Sequence, residues 1–290
     1  MKFSGSYVAL VTPFHEDGSV NFEKLRELAA WHVAEGTDGI VALGTTGESS
    51  TMSHEEDDEV VRCVLKTVDG RIPVICGAGS NSTQTQLEKS KKYHDMGADG
   101  LLLITPYYNK ANDEGMYRHF ATVADSIDTP IILYNVPGRT GCSISPSVVA
   151  RLSMHPNIAG IKEASGNMSY ATRIAHLIGD DFCMFSGNDD IILPMMSLGA
   201  CGVISVFANI CPKQCHDLVA AFGAGDIKTA RELQLKYLDL INTLFCEVNP
   251  IPVKEAMNQL GMGVGGYRLP LCEISDSGRE KVRRALGVLR

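Results

Sequence analysis

Short apolar or β-branched runs alternate with segments whose apolar positions recur at helical spacing, and each run ends in Gly, Ser, Thr, Asn or Pro. The runs predict strands at Tyr7–Val11, Gly39–Leu43, Ile72–Cys76, Gly100–Ile104, Pro130–Leu133, Ile158–Lys162, Phe182–Phe185 and Gly202–Val206. Between them, Phe22, Leu25, Leu28 and Trp31 mark one helical face that Gly36 stops. Ser53-His54-Glu55-Glu56 opens a second helix as a capping box, a third runs from about Thr83 to Met96, and Ser145-Pro146 starts another with a cap and an N1 proline. About eight strand-helix units within residues 1–225 predict an α/β fold, a closed (β/α)8 TIM barrel, which takes roughly 250 residues. A doubly wound sheet is the alternative, but it calls for a phosphate-binding fingerprint after the first strand, where this chain has Thr12-Pro13-Phe14. From Asp226 the alternation stops. Residues 226–290 predict a helical appendage: one long helix carrying Ala230, Leu233, Tyr237, Leu240, Ile241, Leu244 and Val248, a second beginning at Asn249-Pro250-Ile251-Pro252, and a last near Asp276–Leu289.

Composition narrows the function classes. Of 290 residues, 44% are hydrophobic and 21% charged, ordinary values for a globular protein with a large core. A net charge of −8 without any Lys/Arg run gives no footprint for nucleic acid, so small-molecule partners are expected. MKFSGSYVALVTPF lacks a signal-peptide apolar run, and nothing later approaches a membrane span. Nine scattered cysteines, an odd number without framework spacing, predict reduced thiols and a cytoplasmic protein. Cys211, Cys215 and His216 cluster, but no fourth ligand accompanies them, so packing is expected there and no metal. Gly77-Ala78-Gly79 is a lone GxG, too little for a dinucleotide site.

The chemistry-bearing residues lie where strands end. Lys162 closes the apolar run Ile158-Ala159-Gly160-Ile161, a position where an ammonium costs several kcal/mol, by rough estimate, unless it is paired or loses its proton. An amine that loses its proton attacks carbonyls, the basis of Schiff-base catalysis. A water-facing lysine paired with Glu163 is the competing reading of this segment. Gly44-Thr45-Thr46-Gly47-Glu48-Ser49 is a ligand-approaching loop or a plain turn, and Tyr107-Tyr108 are packing residues or a site phenol. Tyr134 ends a strand, and Arg139 in the loop after it suits a carboxylate. A barrel gathers C-terminal strand ends on one face, which favours Lys162 as a functional amine whose pKa falls below the usual value of about 10.4.

Three motifs, Gly44-Thr45-Thr46-Gly47-Glu48, then Tyr134-Asn135-Val136-Pro137 with Arg139 and Thr140, then Lys162-Glu163-Ala164-Ser165, together resemble the pyruvate-dependent class I aldolase and lyase superfamily. Within it the chain is most similar to the dihydrodipicolinate synthases, over almost its whole length, including Asn249-Pro250-Ile251-Pro252-Val253-Lys254. The resemblance implies that Lys162 forms a Schiff base with pyruvate, whose enamine attacks aspartate semialdehyde to give 4-hydroxy-tetrahydrodipicolinate. It further implies that Tyr134 shuttles protons and that Thr45 bridges it to Tyr108 of a neighbouring subunit. Arg139 would hold the semialdehyde carboxylate and Thr46 the pyruvate carboxylate, while the carbonyls of Gly187 and Ile204 position the relay. No metal, nucleotide or flavin is implied, and the expected assembly is a homotetramer of two tight dimers. A sugar-acid lyase using the same lysine, of N-acetylneuraminate or keto-deoxy-gluconate type, is the alternative enzyme, which Arg139 disfavours; a non-catalytic keto-acid-binding barrel is a third reading.

Many bacterial members of that family bind L-lysine at a dimer interface. The matching positions are Ser49, Ser50, His54, Asn81 and Tyr107, whereas Asp57 stands for a frequent histidine and Thr85 for a glutamate. Loss of that charge-assisted hydrogen bond, worth roughly 1.5 to 3 kcal/mol, predicts weak or absent lysine inhibition unless Asp57 offers its carboxylate from another direction.

Overall fold

The computed structural model describes residues 3–289. Its strands are β1 (Gly5–Ala9), β2 (Gly39–Ala42), β3 (Val74–Gly77), β4 (Gly100–Ile104), β5 (Ile131–Asn135), β6 (Ile158–Glu163), β7 (Cys183–Ser186) and β8 (Gly202–Ser205). They form a closed barrel in sequence order, the (β/α)8 architecture that the alternation predicts. The helices are α1 (Phe22–Ala34), α2 (His54–Val68), α3 (Thr83–Asp95), α4 (Asp113–Ala124), α5 (Pro137–Thr140), α6 (Pro146–Leu152) and α7 (Met168–Leu177). They continue with α8 (Ile192–Ser197), α9 (Pro212–Gly223), α10 (Ile227–Lys236), α11 (Leu238–Thr243), α12 (Ile251–Gln259) and α13 (Asp276–Ala285). Among the described residues no helix is long and apolar enough to cross a membrane.

By internal contacts the chain divides into two units, Pro73–Ile204 with the chain up to Gly5, and Ser6–Ile72 with the chain from Ser205 onward. In the first, β3 to β8 pair in parallel with their sequence neighbours. These strands are buried on both faces, which is why they read as unbroken apolar runs. β3 begins after the predicted Ile72 because Pro73 has no N–H to donate to a ladder. β5 extends past the predicted Leu133, since Tyr134 pairs with both Ile104 and Lys162, and Asn135 with Glu163. Between β5 and β6 the register shifts: Ile131 lies opposite Ile158, but Ile132 lies opposite Gly160. Ala159 is thus an extra residue, a bulge that changes the phase of everything after it.

The second unit pairs β1 with β2 and packs α1 on α2. β1 stops at Ala9 because the Val11 N–H goes to Asn209 Oδ1 at 3.1 Å, while Asn209 Nδ2 donates to Ala9 O at 2.8 Å. The predicted capping box opens α2: Ser53 Oγ accepts from Glu56 N and Glu56 Oε2 accepts from Ser53 N. The expected long helix after Asp226 is instead two. Tyr237, at φ −99° and ψ 2°, leaves helical geometry between α10 and α11, and its buried ring lies 5.4 Å from that of Phe207. Val248, placed on the same stripe, lies beyond both helices and is exposed. His216 Nδ1 sits 2.9 Å from Asp38 Oδ2.

Candidate active site

Strand alternation puts Lys162 and Glu163 on opposite faces of β6, and the bulge decides which faces what. Continuing the register from the Ile131–Ile158 pair without the extra residue would set Ile161 beside Tyr134. With Ala159 inserted, Lys162 takes that place. Its Nζ lies 4.5 Å from the centroid of the Tyr134 ring, and the side chain is only 6% exposed. Among the described residues no carboxylate comes within ion-pair distance of it. The water-facing lysine paired with Glu163 is therefore not what the chain builds. Glu163 turns away and accepts from Asn135 Nδ2 at 2.6 Å and from Ser165 N at 2.7 Å. Burial pushes the Glu163 carboxyl above its ordinary value, and those hydrogen bonds pull the other way.

Gly187, one residue past β7, donates its N–H to Glu163 O at 2.7 Å. A Cβ there would stand 2.5 Å from that of Ala164, so only glycine lets this backbone approach the end of β6. Ile204 is fully buried within β8. Arg139 lies on the short helix α5, which starts on Pro137 and ends at Gly141 with φ +70°, and it is exposed. Tyr107 is partly exposed, whereas Tyr108 is 92% exposed with φ +68°, a left-handed backbone that a bulky side chain seldom adopts. Tyr108 therefore projects from its own chain. Asn81 accepts on its carbonyl from Asn109 Nδ2 at 3.0 Å, beside the same loop.

The other unit carries Thr45 and Thr46. They open a 3-10 turn, Thr45–Gly47, flanked by Leu43 at φ +57° and Glu48 at φ +55°. Such conformations cost non-glycine residues about 1 kcal/mol or more each and need support. The support is specific. Asn249 Nδ2 donates to Thr46 Oγ1 at 3.0 Å, Thr12 Oγ1 donates to Gly47 O at 2.6 Å, and the buried Glu48 carboxylate meets Lys254 Nζ at 2.8 Å. Lys254 also donates to Thr12 O at 3.1 Å and to Gly266 O. Its three protons are thus committed to acceptors, which makes it a structural cation although burial lowers its pKa. Ser49 is half-buried, and Ser50 and His54 are exposed. Asp57 is 1% exposed, so its carboxylate does not reach out to a surface ligand as the sequence allowed.

Sequence reasoning missed Asn249, Glu48 and Lys254 as supports of the threonine turn, and the bulge that turns Lys162 toward Tyr134. A lysine inside the apolar stretch Ile251-Pro252-Val253-Lys254 was the one available signal for the buried pair. No pattern of apolar and polar residues announces the bulge.

The comparisons with known proteins agree with one another. The model of the dihydrodipicolinate synthetase family matches residues 2–288. A 4-hydroxy-tetrahydrodipicolinate synthase of Clostridium perfringens is 50% identical over 275 residues, covering 95% of this chain and 94% of that one. One from Geobacter sulfurreducens is 52% identical over 280 residues, covering 97% and 96%. Among solved structures, the chloride-inhibited dihydrodipicolinate synthase of Acinetobacter baumannii, complexed with pyruvate, superposes with a TM-score of 0.96 at 44% identity, covering 98% of each chain. Matched over residues 2–288 by the family model and over 95% or more of its length by these relatives, the chain belongs to the dihydrodipicolinate synthetase family.

Proposed function

We propose that this chain is a lyase that condenses pyruvate with L-aspartate 4-semialdehyde to give 4-hydroxy-tetrahydrodipicolinate, the committed step toward diaminopimelate and lysine. The observation that carries the reading is the buried Lys162 amine held over the Tyr134 ring, without a carboxylate partner among the described residues. The neutral amine adds to the keto carbon of pyruvate and expels water, leaving a Schiff base. That imine is an electron sink, so a methyl proton departs and the resulting enamine carbon attacks the aldehyde of the second substrate. Tyr134 carries protons between these steps, because a phenol donates and then accepts. The semialdehyde's own amine then adds to the imine carbon and displaces Lys162 as the free amine, which closes the ring and regenerates the enzyme. Every step is addition to, or elimination from, a carbonyl or imine carbon, or proton transfer, and the scheme uses no metal, nucleotide or flavin.

The remaining roles follow the family resemblance. Thr45 and Tyr108 extend the proton relay, and Thr46, oriented by Asn249, contacts the pyruvate carboxylate. Arg139 binds the carboxylate of the semialdehyde, and the carbonyls of Gly187 and Ile204 hold the relay in line. The exposure of Tyr108 supports a relay completed by a second copy of the chain, in a cytoplasmic homotetramer built as a dimer of dimers. The catalytic barrel corresponds to residues 1–225 and the helical region to 226–290. L-Lysine inhibits weakly or not at all, because Thr85 cannot supply a charge to its amine.

The test is borohydride reduction in the presence of pyruvate, with the adduct mapped by peptide mass, followed by an assay of pyruvate-dependent semialdehyde consumption. An adduct on Lys162 and turnover lost in Lys162→Ala are expected. An adduct elsewhere, or none on intact protein, would overturn the reading. Cleavage of N-acetylneuraminate or a keto-deoxy-gluconate in place of semialdehyde condensation would reassign the chain to the sugar-acid lyases.

A further inference from the structure

We propose that the buried Asn135–Glu163 hydrogen bond is a register latch: it holds β6 in its bulged alignment and thereby keeps Lys162 beside Tyr134, with Glu163 as a positioning residue. The inference rests on Lys162 being the Schiff-base lysine.

The bulge at Ala159 creates a choice. β6 can pair with β5 in the observed alignment, or one residue out of it, and the two differ in every side chain that follows. One residue out, Tyr134 would meet Ile161, and Lys162 would meet Asn135 on the opposite face. The apolar residues do not decide between these alignments, since Ile158, Ile161 and the β5 residues Ile131, Ile132 and Leu133 are all buried hydrophobes that pack either way. The polar pair does. In the observed register Asn135 lies opposite Glu163, and their side chains meet at 2.6 Å with both residues buried.

Each end of the pair is tied to a different loop. Asn135 Oδ1 accepts from Ile144 N at 3.1 Å, and the Ile144 carbonyl accepts from Tyr170 on α7 at 2.6 Å. Glu163 Oε1 accepts from Ser165 N at 2.7 Å. The bond therefore joins the chain after α5 to the chain after β6, across the strand ends that carry Tyr134 and Lys162. Slipping the register would strip a buried carboxylate of its amide donor and leave Asn135 facing the Lys162 side chain instead, so the latch opposes the slip through unpaired polar groups. Gly160 accommodates the observed alignment, since a Cβ there would stand 2.3 Å from Cys183 O.

The polarity of the pair can be reversed without changing its shape, which provides the test. Glu163→Gln leaves one acceptor oxygen for the two N–H groups, Asn135 Nδ2 and Ser165 N, that the carboxylate serves, and Asn135→Asp sets two carboxylates against each other. The double variant restores one amide and one carboxylate: Gln at 163 donates to Asp at 135 and still accepts from Ser165 N, and Asp at 135 still accepts from Ile144 N. Each single variant should lower kcat and the rate of pyruvate trapping on Lys162 by roughly tenfold or more, as the share of molecules holding Lys162 beside Tyr134 falls, with KM for pyruvate changed far less. The double variant should recover to within about threefold of wild type. A purely structural role would lower the unfolding midpoint and leave kcat per folded molecule unchanged, and that result, or a double variant no better than the worse single one, overturns the latch. If wild-type protein forms no adduct on Lys162, the Schiff-base reading falls by itself. Crystal structures of the single variants then judge the latch: a displaced β6 register supports it, and an unmoved Lys162–Tyr134 pairing refutes it.

Discussion

Lys254 Nζ lies 2.8 Å from Glu48 Oε1 with both side chains wholly removed from water, directly behind the turn that presents Thr45 and Thr46. Glu48 occupies a left-handed backbone position, and its carboxylate also receives the Arg268 N–H at 3.4 Å. The ion pair thus holds a strained turn to α12. A buried pair is worth little against an apolar replacement of both partners, but breaking it strands a charge. Lys254→Met should therefore cost about 3–5 kcal/mol in urea denaturation. Lys254→Met with Glu48→Gln should recover part of that stability. Equal stability in the two variants would show that the Glu48 charge is not what the lysine compensates.

A second pair near the same turn titrates. Arg268 Nη1 and Nη2 hold the two oxygens of Glu56 at 2.7 and 2.5 Å, and this guanidinium pulls the Glu56 carboxyl from 4.5 down to about 2. The unfolded chain binds more protons than the folded one between those values, so stability rises with pH across that window. The contribution is complete above about pH 4.5 and disappears as pH falls toward 2. Allowing for screening at a site up to a third exposed, it amounts to roughly 1–2 kcal/mol. The urea midpoints of wild type and Arg268→Gln should differ at neutral pH and converge as the pH is lowered toward 2. A gap that stays constant over that range would mean the arginine acts through its hydrogen bonds to Gly18 O and Thr51 O instead.

The architecture was legible because each strand is buried on both faces and each helix carries its own punctuation, such as Ser53 with Glu56 and Ser145 with Pro146. Tyr134 and Lys162 were legible as strand-end chemistry. Their alignment was not, because one inserted residue in an apolar run leaves no mark on the hydrophobic pattern while reversing which side chains share a face. The division of α10 from α11 escaped for a related reason: Tyr237 fits the apolar stripe whether or not the backbone stays helical there. The Glu48–Lys254 pair joins residues 206 apart, and nothing local relates them.

Tyr108 projects from its own chain at 92% exposure with a left-handed backbone, a costly way to display a phenol that serves only its own subunit. If it completes the relay of a neighbouring copy, Tyr108→Phe and Lys162→Ala should each be nearly inactive alone and complement each other when mixed. A mixed dimer then contains one site with both lesions and one intact site. Unfolding and refolding equal amounts together should therefore restore about a quarter of wild-type activity by random pairing. No restoration, with mixed dimers demonstrated by native mass spectrometry, would place Tyr108 outside the neighbour's relay.

The response to L-lysine turns on Thr85 and Asp57. Thr85 is half-buried in the first turn of α3, where its N–H is capped by Ser82 Oγ, and it brings no charge to an ammonium. Asp57 is buried in α2 and does not substitute for one. Wild-type enzyme should therefore resist submillimolar L-lysine. Thr85→Glu places an acid at the start of a helix, where the dipole tolerates it, so this variant should fold normally. One added charge-assisted hydrogen bond should tighten inhibition by roughly tenfold or more, with kcat and both KM values in the absence of lysine unchanged. Strong inhibition of the wild type would show that another group binds the amine, and an unresponsive Thr85→Glu would show that the rest of the lysine-binding set, Ser49, Ser50, His54, Asn81 and Tyr107, is not assembled for it.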